Sequence, residues 1–282
     1  MGAGTARIRF SGPRVLFLAG NTLRAAVRQK VLGFLFLLAV ALVLGAQYFR
    51  DFHFGSPELK FLADLGFGAI AGFGAVLTVV ATAQLFFSEL EHRTVLTLLA
   101  KPVRRSEFVL GKFLGVAAVS AIFCGALTLV LAGVLWAREN SLMREFPGAF
   151  ADGRVINYAH VGLTGLVLWL KLLVLGALTL LVASYAQTQL FTMVTGFLVY
   201  VICHLEHLAQ AASARAGASA LGLITGLVAH ALPNFQLFSL ADTLEGGESL
   251  PWVQLGRVSL YALGYVATAC ALAVFSFCRR EI

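Results

Sequence analysis

Residues 65–112 decide the fold. They read LGFGAIAGFGAVLTVVATAQLFF from 65 to 87 and SELEHRTVLTLLAKPVRRSEFVLGK from 88 to 112. The first part carries no charge and is long enough to cross a hydrocarbon core of ~30 Å as a helix, for which about 20 residues are needed. The second part is charged, contains Pro102, and leads directly into another apolar run. The pattern predicts a membrane helix, a polar turn and a return into the membrane.

The composition of the whole chain agrees with this local pattern. Of 282 residues, 59% are hydrophobic and 12% are Asp, Glu, Lys or Arg, and the mean hydropathy is +0.87. Soluble domains carry about twice that share of charge. A soluble enzyme, a disordered chain and a secreted disulfide scaffold are therefore excluded. The cysteines have no CxxC spacing, and we interpret all of them as small buried hydrophobic residues: Cys124, Cys203, Cys270 and Cys278.

Six apolar runs are long enough to span a bilayer. They are residues 31–48, 65–87, 109–136, 161–184, 190–207 and 256–278. A shorter apolar piece, residues 219–232, would reach only ~21 Å as a helix and suits a re-entrant or interfacial helix on the outer side. Because backbone polar groups must be satisfied within lipid, each crossing must be helical. We expect an all-α polytopic membrane protein with a single six-span transmembrane domain over residues 31–282.

Lys and Arg predict the orientation. Residues 1–30 contain six of them and no acid, and residues 13–30 predict a basic amphipathic helix at the inner leaflet, an elbow before the first span. Thirteen Lys and Arg fall on the side of the two termini and the 88–112 loop, against seven on the other side, where nine acids also fall. The positive-inside rule makes the N- and C-termini cytoplasmic. The net charge of +7 is thereby explained by topology, and a nucleic-acid partner is not implied.

The cytoplasmic loop mixes charged residues with Leu and Val at helical spacing, as a helix that docks into a groove requires. Pro102 ends this short helix. We expect Ser106 to cap the next helix and Glu107 to lie in its positive first turn.

The loop resembles the cytoplasmic motif of type-2 ABC transporter permeases, the membrane-spanning subunits of these transporters. The resemblance is carried by Glu89-x-Glu91-x-x-Thr94, by Leu98-Leu99-Ala100-Lys101-Pro102-Val103-x-Arg105 and by Glu107-x-x-x-x-Gly111-Lys112-Phe113, whereas His92 departs from the family pattern, in which this position is commonly acidic or small. The docking site that the resemblance implies consists of Glu89, Glu91, His92, Arg93, Thr94, Leu98, Lys101, Pro102, Arg105, Gly111 and Lys112. The resemblance implies that residues 88–100 form a coupling helix, within a coupling segment 88–108, that docks on a separate cytosolic ATPase subunit. It also implies a second permease copy, export as the more usual direction, and a bacterial inner (plasma) membrane location.

The chain itself has no nucleotide-binding loop. A phosphate-binding loop needs G-x-x-x-x-G-K-[ST], but around Gly111 and Lys112 the first glycine is Ser106 and the last position is Phe113. We therefore expect no enzymatic activity and no cofactor in this chain, with ATP and magnesium bound by the partner subunit. Two alternatives remain: a carrier driven by an ion gradient, and an intramembrane enzyme, for which no G-x-S-x-G and no intramembrane aspartate is present.

Apart from Lys112 and Arg257, which lie close to the ends of their runs, two charges fall within predicted spans, where charge is costly and marks a functional site. Lys171 and Glu206 lie at ~20 Å and ~24 Å from the cytoplasmic ends of spans joined by a very short loop, so we predict that they form an ion pair. A metal site could be drawn from His204 and His207 beside Glu206. No H-E-x-x-H order or thiolate accompanies them, so no metal is assigned.

Glycine pairs four residues apart occur at 68–72, 111–115 and 222–226. Small residues at this spacing allow helices to approach closely, within one subunit or across a dimer interface, and we favour packing within the subunit.

Overall fold

The computed structural model describes residues 11–46, 58–91, 104–145, 156–216, 232–238 and 252–279, with side chains described except at 89–91 and 206–216. All regular structure in these ranges is helical, as predicted. The helices are α1 (Gly12–Val27), α2 (Lys30–Gly45), α3 (Glu58–Glu91), α4 (Arg105–Glu145), α5 (Tyr158–Tyr185), α6 (Gln189–Ala216) and α7 (Trp252–Arg279), with a 3-10 helix at Phe235–Phe238.

Four helices are long and apolar enough to cross a membrane: α3, α4, α5 and α7. The consecutive helices α1 and α2 are bent by 68° and count as a fifth span only if taken together. The apolar part of α6, Gln189–Leu205, is shorter than a span. The described chain therefore has four to five candidate spans. Each of the six predicted spans falls on one of α2 to α7. α2 and the described apolar part of α6 are shorter than a span, so the six-span layout stays a prediction.

α3 and α5 form the centre of the bundle. In each of these helices 72% of the most apolar 18-residue stretch is buried inside the protein, compared with 44% for α4 and 28% for α7. α5 packs against α3, α4, α6 and α7, whereas α1 packs mainly along α4. The outer faces of α2, α6 and α7 are rich in exposed Leu, Val and Phe, as helices facing lipid require.

Three threonine hydroxyl groups inside the helices are satisfied by their own helix. The hydroxyl groups of Thr82, Thr164 and Thr179 each donate to the carbonyl oxygen four residues earlier, at 2.7–3.0 Å. Each of these three hydroxyl groups therefore has a partner within its own helix. The buried hydroxyl groups of Thr78 and Thr128, in contrast, make no hydrogen bond within the described chain.

α5 and α6 are joined by only three residues, 186–188, and pack side by side as antiparallel neighbours. This adjacency was predicted from the short loop and is confirmed. The predicted re-entrant piece, 219–232, lies outside the described residues except for Leu232.

Candidate functional site

We call residues 92–103, between α3 and α4, the polar segment. The end of the bundle where α3 ends and α4 begins is called the loop end. Four phenylalanines from three helices close this end: Phe86 and Phe87 on α3, Phe108 on α4 and Phe277 on α7. The Phe277 ring centroid lies 5.6 Å from that of Phe86 and 5.6 Å from that of Phe108, and Phe86 and Phe108 are 5.9 Å apart. Aromatic pairs at these distances add attraction beyond their buried area. The ends of α3 and α7 are therefore packed on the start of α4.

A single carboxylate joins the starts of two helices at the loop end. Glu107 is fully buried, and its Oε2 accepts from the backbone N–H of Arg104, which precedes the first residue of α4, at 3.0 Å. Its Oε1 accepts from the backbone N–H of Ser11, which precedes α1, at 2.7 Å. The guanidinium group of Arg14 lies 3.8 Å from Oε2. Helix starts carry unpaired N–H groups and a partial positive charge, so an anion between two of them is well placed.

The end of α7 is held by Arg105. One guanidinium nitrogen of Arg105 donates to the carbonyl oxygens of Phe277 and Cys278, at 3.3 Å and 3.2 Å. These carbonyls belong to the last turn of α7, where the helix has no N–H groups left to satisfy them. Lys112 is buried one to two turns further along α4, with its ammonium 5.7 Å from the Phe108 ring centroid.

Two glycines allow α1 to lie directly on α4. A Cβ atom built at Gly111 would be 2.6 Å from Cβ of Leu18, and one built at Gly115 would overlap the side chain of Thr22. Leu18 and Thr22 lie on the buried face of α1 together with Val15 and Ala26. The predicted close packing of the 111–115 pair within the subunit is confirmed. For the 68–72 pair the prediction of packing within the subunit is wrong. Both glycines face outward, and a Cβ atom built at either one would have nothing within 4 Å.

Five of the predicted coupling residues lie within the described chain, and all five are near the loop end. Arg105, Gly111 and Lys112 lie at the loop end, and Glu89 and Glu91 lie in the last turn of α3, although their side chains are not described. The α3 helix continues to Glu91 without a break. The remaining predicted residues lie outside the described chain: His92, Arg93, Thr94, Leu98, Lys101 and Pro102.

Two details of the sequence interpretation are corrected. α4 begins at Arg105, so Ser106 lies inside the first turn and cannot be its cap, whereas Glu107 performs that role from the third helical position. Cys278 is exposed, unlike Cys124, Cys203 and Cys270, because it lies in the last turn of α7 beyond the packed core. The contact between Glu107 and Ser11 was not predicted. No local sequence signal could reveal it, since the two residues are 96 positions apart.

At the opposite end of α4, other charged groups are paired. Nε and one terminal nitrogen of Arg138 bond the two carboxylate oxygens of Glu58 at 2.6 Å and 3.0 Å. The buried carboxylate of Glu139 accepts from the backbone N–H of Ile156 at 3.2 Å and from the Tyr158 hydroxyl at 2.6 Å. The count of charged residues assigned Glu58, Arg138 and Glu139 to the side of the membrane opposite the two termini. In the structure these residues and the charged residues of the loop end lie at opposite ends of α4.

Between the two ends, Lys171 of α5 contacts α6. Its Nζ lies 3.1 Å from Nε2 of His204 and 5.4 Å from the Phe235 ring centroid. Nδ1 of His204 is 3.4 Å from the Tyr200 carbonyl, which can only accept, so Nε2 is left as the acceptor for Lys171. The side chain of Glu206 is not described, and the Lys171–Glu206 pair stays a prediction.

No group of three or more His, Cys, Asp or Glu able to hold a metal ion occurs among the described residues. The side chain of His207 lies outside that set, and His204 contacts Lys171.

Comparison with known proteins identifies the family. A search of curated proteins found no match. The sequence profile of the family described as ABC-2 family transporter protein matches residues 16–215, which is more than half of the chain. The matched range includes most of α1, all of α2 to α5, the segment 92–103 and almost all of α6. The chain therefore belongs to the ABC-2 family of transporter proteins, and it is a multi-pass membrane permease of an ABC transporter.

Proposed function

We propose that the chain is the permease subunit of an ATP-driven exporter. We also propose that residues 88–100, which begin with the last turn of α3, act as the coupling helix that docks on a separate cytosolic ATPase subunit. Two permease copies, identical or different, would flank the transport path. The chain itself would hydrolyse no ATP and hold no cofactor, with ATP and magnesium bound by its partner. Membership of the ABC-2 family implies the ATPase partner and the membrane setting. Export, docking and the dimer go beyond that.

The observation that carries the proposal is the convergence of helix ends beside the polar segment. At the loop end, Glu107 holds the starts of α1 and α4, and Arg105 holds the end of α7. The phenylalanine cluster adds the end of α3. A push on residues 92–103 would act on four helices at once. Such convergence supports a role in receiving motion from a partner.

The proposal also includes the membrane topology. The loop end would face the cytoplasm of a bacterial cell, with both termini on that side and six spans in the inner membrane. α1 would be the amphipathic elbow helix, because it buries one face on α4 and leaves Leu16, Phe17 and Val27 exposed to lipid.

The decisive experiment reverses the charges at the end of α3 and directly after it. We expect a chain with Glu89→Lys, Glu91→Lys and Arg93→Glu to lose the ATPase subunit on purification, or to lose stimulation of its Mg-ATP hydrolysis. The physical reason is that a docking surface with mixed charges becomes mismatched when each charge is inverted. The matched control reverses exposed cations toward the other end of the bundle, Arg144→Glu with Arg257→Glu, and should leave both readouts unchanged.

Unchanged ATPase stimulation in the triple variant would remove residues 88–100 from the docking surface. A wild-type chain that recruits no ATPase, and works in ATP-free vesicles under an ion gradient, would overturn the proposed function as a whole.

A further inference from the structure

Glu107 makes one hydrogen bond more than the capping of α4 requires. A cap at the start of α4 requires one acceptor for the Arg104 N–H, and Oε2 of Glu107 provides it. The other oxygen binds the N–H of Ser11, on a helix that is distant in sequence, at the shorter distance of 2.7 Å. The carboxylate is fully buried, so water does not compete for either bond.

The two helix starts would separate without this anion. Each carries partial positive charge from its unpaired N–H groups, and Arg14 adds a full positive charge 3.8 Å from the carboxylate. With a neutral side chain at position 107, the negative charge between the two helix starts would be lost. The contacts of Gly111 with Leu18 and of Gly115 with Thr22 would remain, but they lie one and two turns further into the bundle.

Glu107 lies between the polar segment and α1, so it can pass a displacement of that segment on to α1. It lies three residues after Arg104, the first described residue beyond the polar segment. α1, which it holds through Ser11, continues into α2 across the 68° bend. A displacement that enters at residue 104 therefore has a short bonded route to α1 and, beyond the bend, to α2.

We propose that Glu107 is the positioning residue that makes α1 move as one body with the start of α4, so that motion of the cytoplasmic segment reaches α1 and α2 as well as α4. This inference rests on the proposed function for its source of motion. The linkage itself is a property of this chain and can be measured without the partner.

The chain contains a matched control for a purely structural role. Glu139 lies on the same helix, is equally buried, and also accepts one backbone N–H and one further hydrogen bond, from Ile156 and Tyr158. It lies at the other end of α4. Glu139→Gln should therefore weaken the fold to a similar degree as Glu107→Gln without touching the linkage.

The experiment measures the distance between spin labels at Asn21→Cys on α1 and Leu129→Cys on α4, both exposed positions, in a Cys278→Ser chain. We expect a narrow distance distribution in the parent chain and in Glu139→Gln, and a broader one in Glu107→Gln. In the complex with its ATPase, Glu107→Gln should keep the partner bound but reduce the stimulation of Mg-ATP hydrolysis about tenfold, the size expected for one charged hydrogen bond.

The outcomes separate the two proposals. An equally narrow distribution in Glu107→Gln, with or without the partner, would overturn the linkage, as would equal broadening in Glu139→Gln. A broadened distribution with undiminished ATPase stimulation would overturn the role in transmission. A parent chain that binds no ATPase would overturn the proposed function, while the distance measurement would still decide the linkage.

Discussion

Lys171 shows how one buried charge can be held by neutral groups. Its described partners are the Nε2 lone pair of His204 and the face of the Phe235 ring, neither of which carries a negative charge. A lysine in a span is costly, by on the order of 2.5–3.5 kcal/mol at the centre of the membrane. Both an acceptor and a cation–π contact reduce that cost.

The prediction at this position concerns Glu206. If Glu206 pairs with Lys171, then Lys171→Leu leaves a buried carboxylate uncompensated, and unfolding should become easier by about 3–5 kcal/mol. Glu206→Leu in the same chain should restore stability. Thermal unfolding in detergent of the two single variants and the double variant measures this.

The contact with His204 provides the competing outcome. A loss of only about 1 kcal/mol in Lys171→Leu, unaffected by Glu206→Leu, would show that His204 is the sole partner that matters. Additive effects of the two substitutions would contradict the ion pair.

Among the helices, the packing of α1 on α4 depends on the absence of side chains at two positions. A methyl group at Gly111 would meet not only Leu18 but also the Val15 carbonyl oxygen at 3.3 Å, and backbone moves less readily than a side chain. α1 would have to lift off α4 to make room.

We therefore expect Gly111→Val to destabilise the protein by about 1–3 kcal/mol, the usual cost of overpacking. The matched control is Gly125→Val on the same helix, where nothing lies within 4 Å of the Cβ position. Thermal unfolding of both variants in the same detergent checks the prediction. Equal effects of the two substitutions would show that the cost comes from helix propensity and not from contact with α1.

The sequence predicts the helices well and their mutual contacts poorly. Apolar runs located α2 to α7 because hydrocarbon allows hardly any other backbone structure. Arg105, Gly111 and Lys112 were found through a local motif. The bond from Glu107 to Ser11 and the pairing of Lys171 with His204 depend on which helix faces which. Periodicity does not determine that, and the prediction of Glu206 as a partner of Lys171 rests on matching depths and on the short loop between their helices.

For the whole molecule, the segregation of charged groups to two ends predicts which face of the membrane each end meets. Cys278 is exposed at the loop end, whereas Cys124, Cys203 and Cys270 are buried. A membrane-impermeant thiol reagent should therefore label the wild-type chain at Cys278 from the cytoplasmic side only.

The control places a cysteine at the other end of α4. Arg144→Cys in a Cys278→Ser chain should react from the opposite side of the membrane, because Arg144 is exposed and lies at the far end of that helix. Labelling of both chains from the same side would contradict the proposed orientation and topology.

The length of α4 has a consequence for how the protein sits in a bilayer. Its 41 residues rise by about 60 Å, roughly twice the hydrocarbon thickness. The apolar stretch alone does not fix the height of such a helix, and the thickness of the surrounding lipid can vary without exposing its middle. Bonds at its two ends, Glu107 to Ser11 and Arg138 to Glu58, instead fix the height of α4 relative to α1 and α3. α2, with 16 residues, has no such reserve of length.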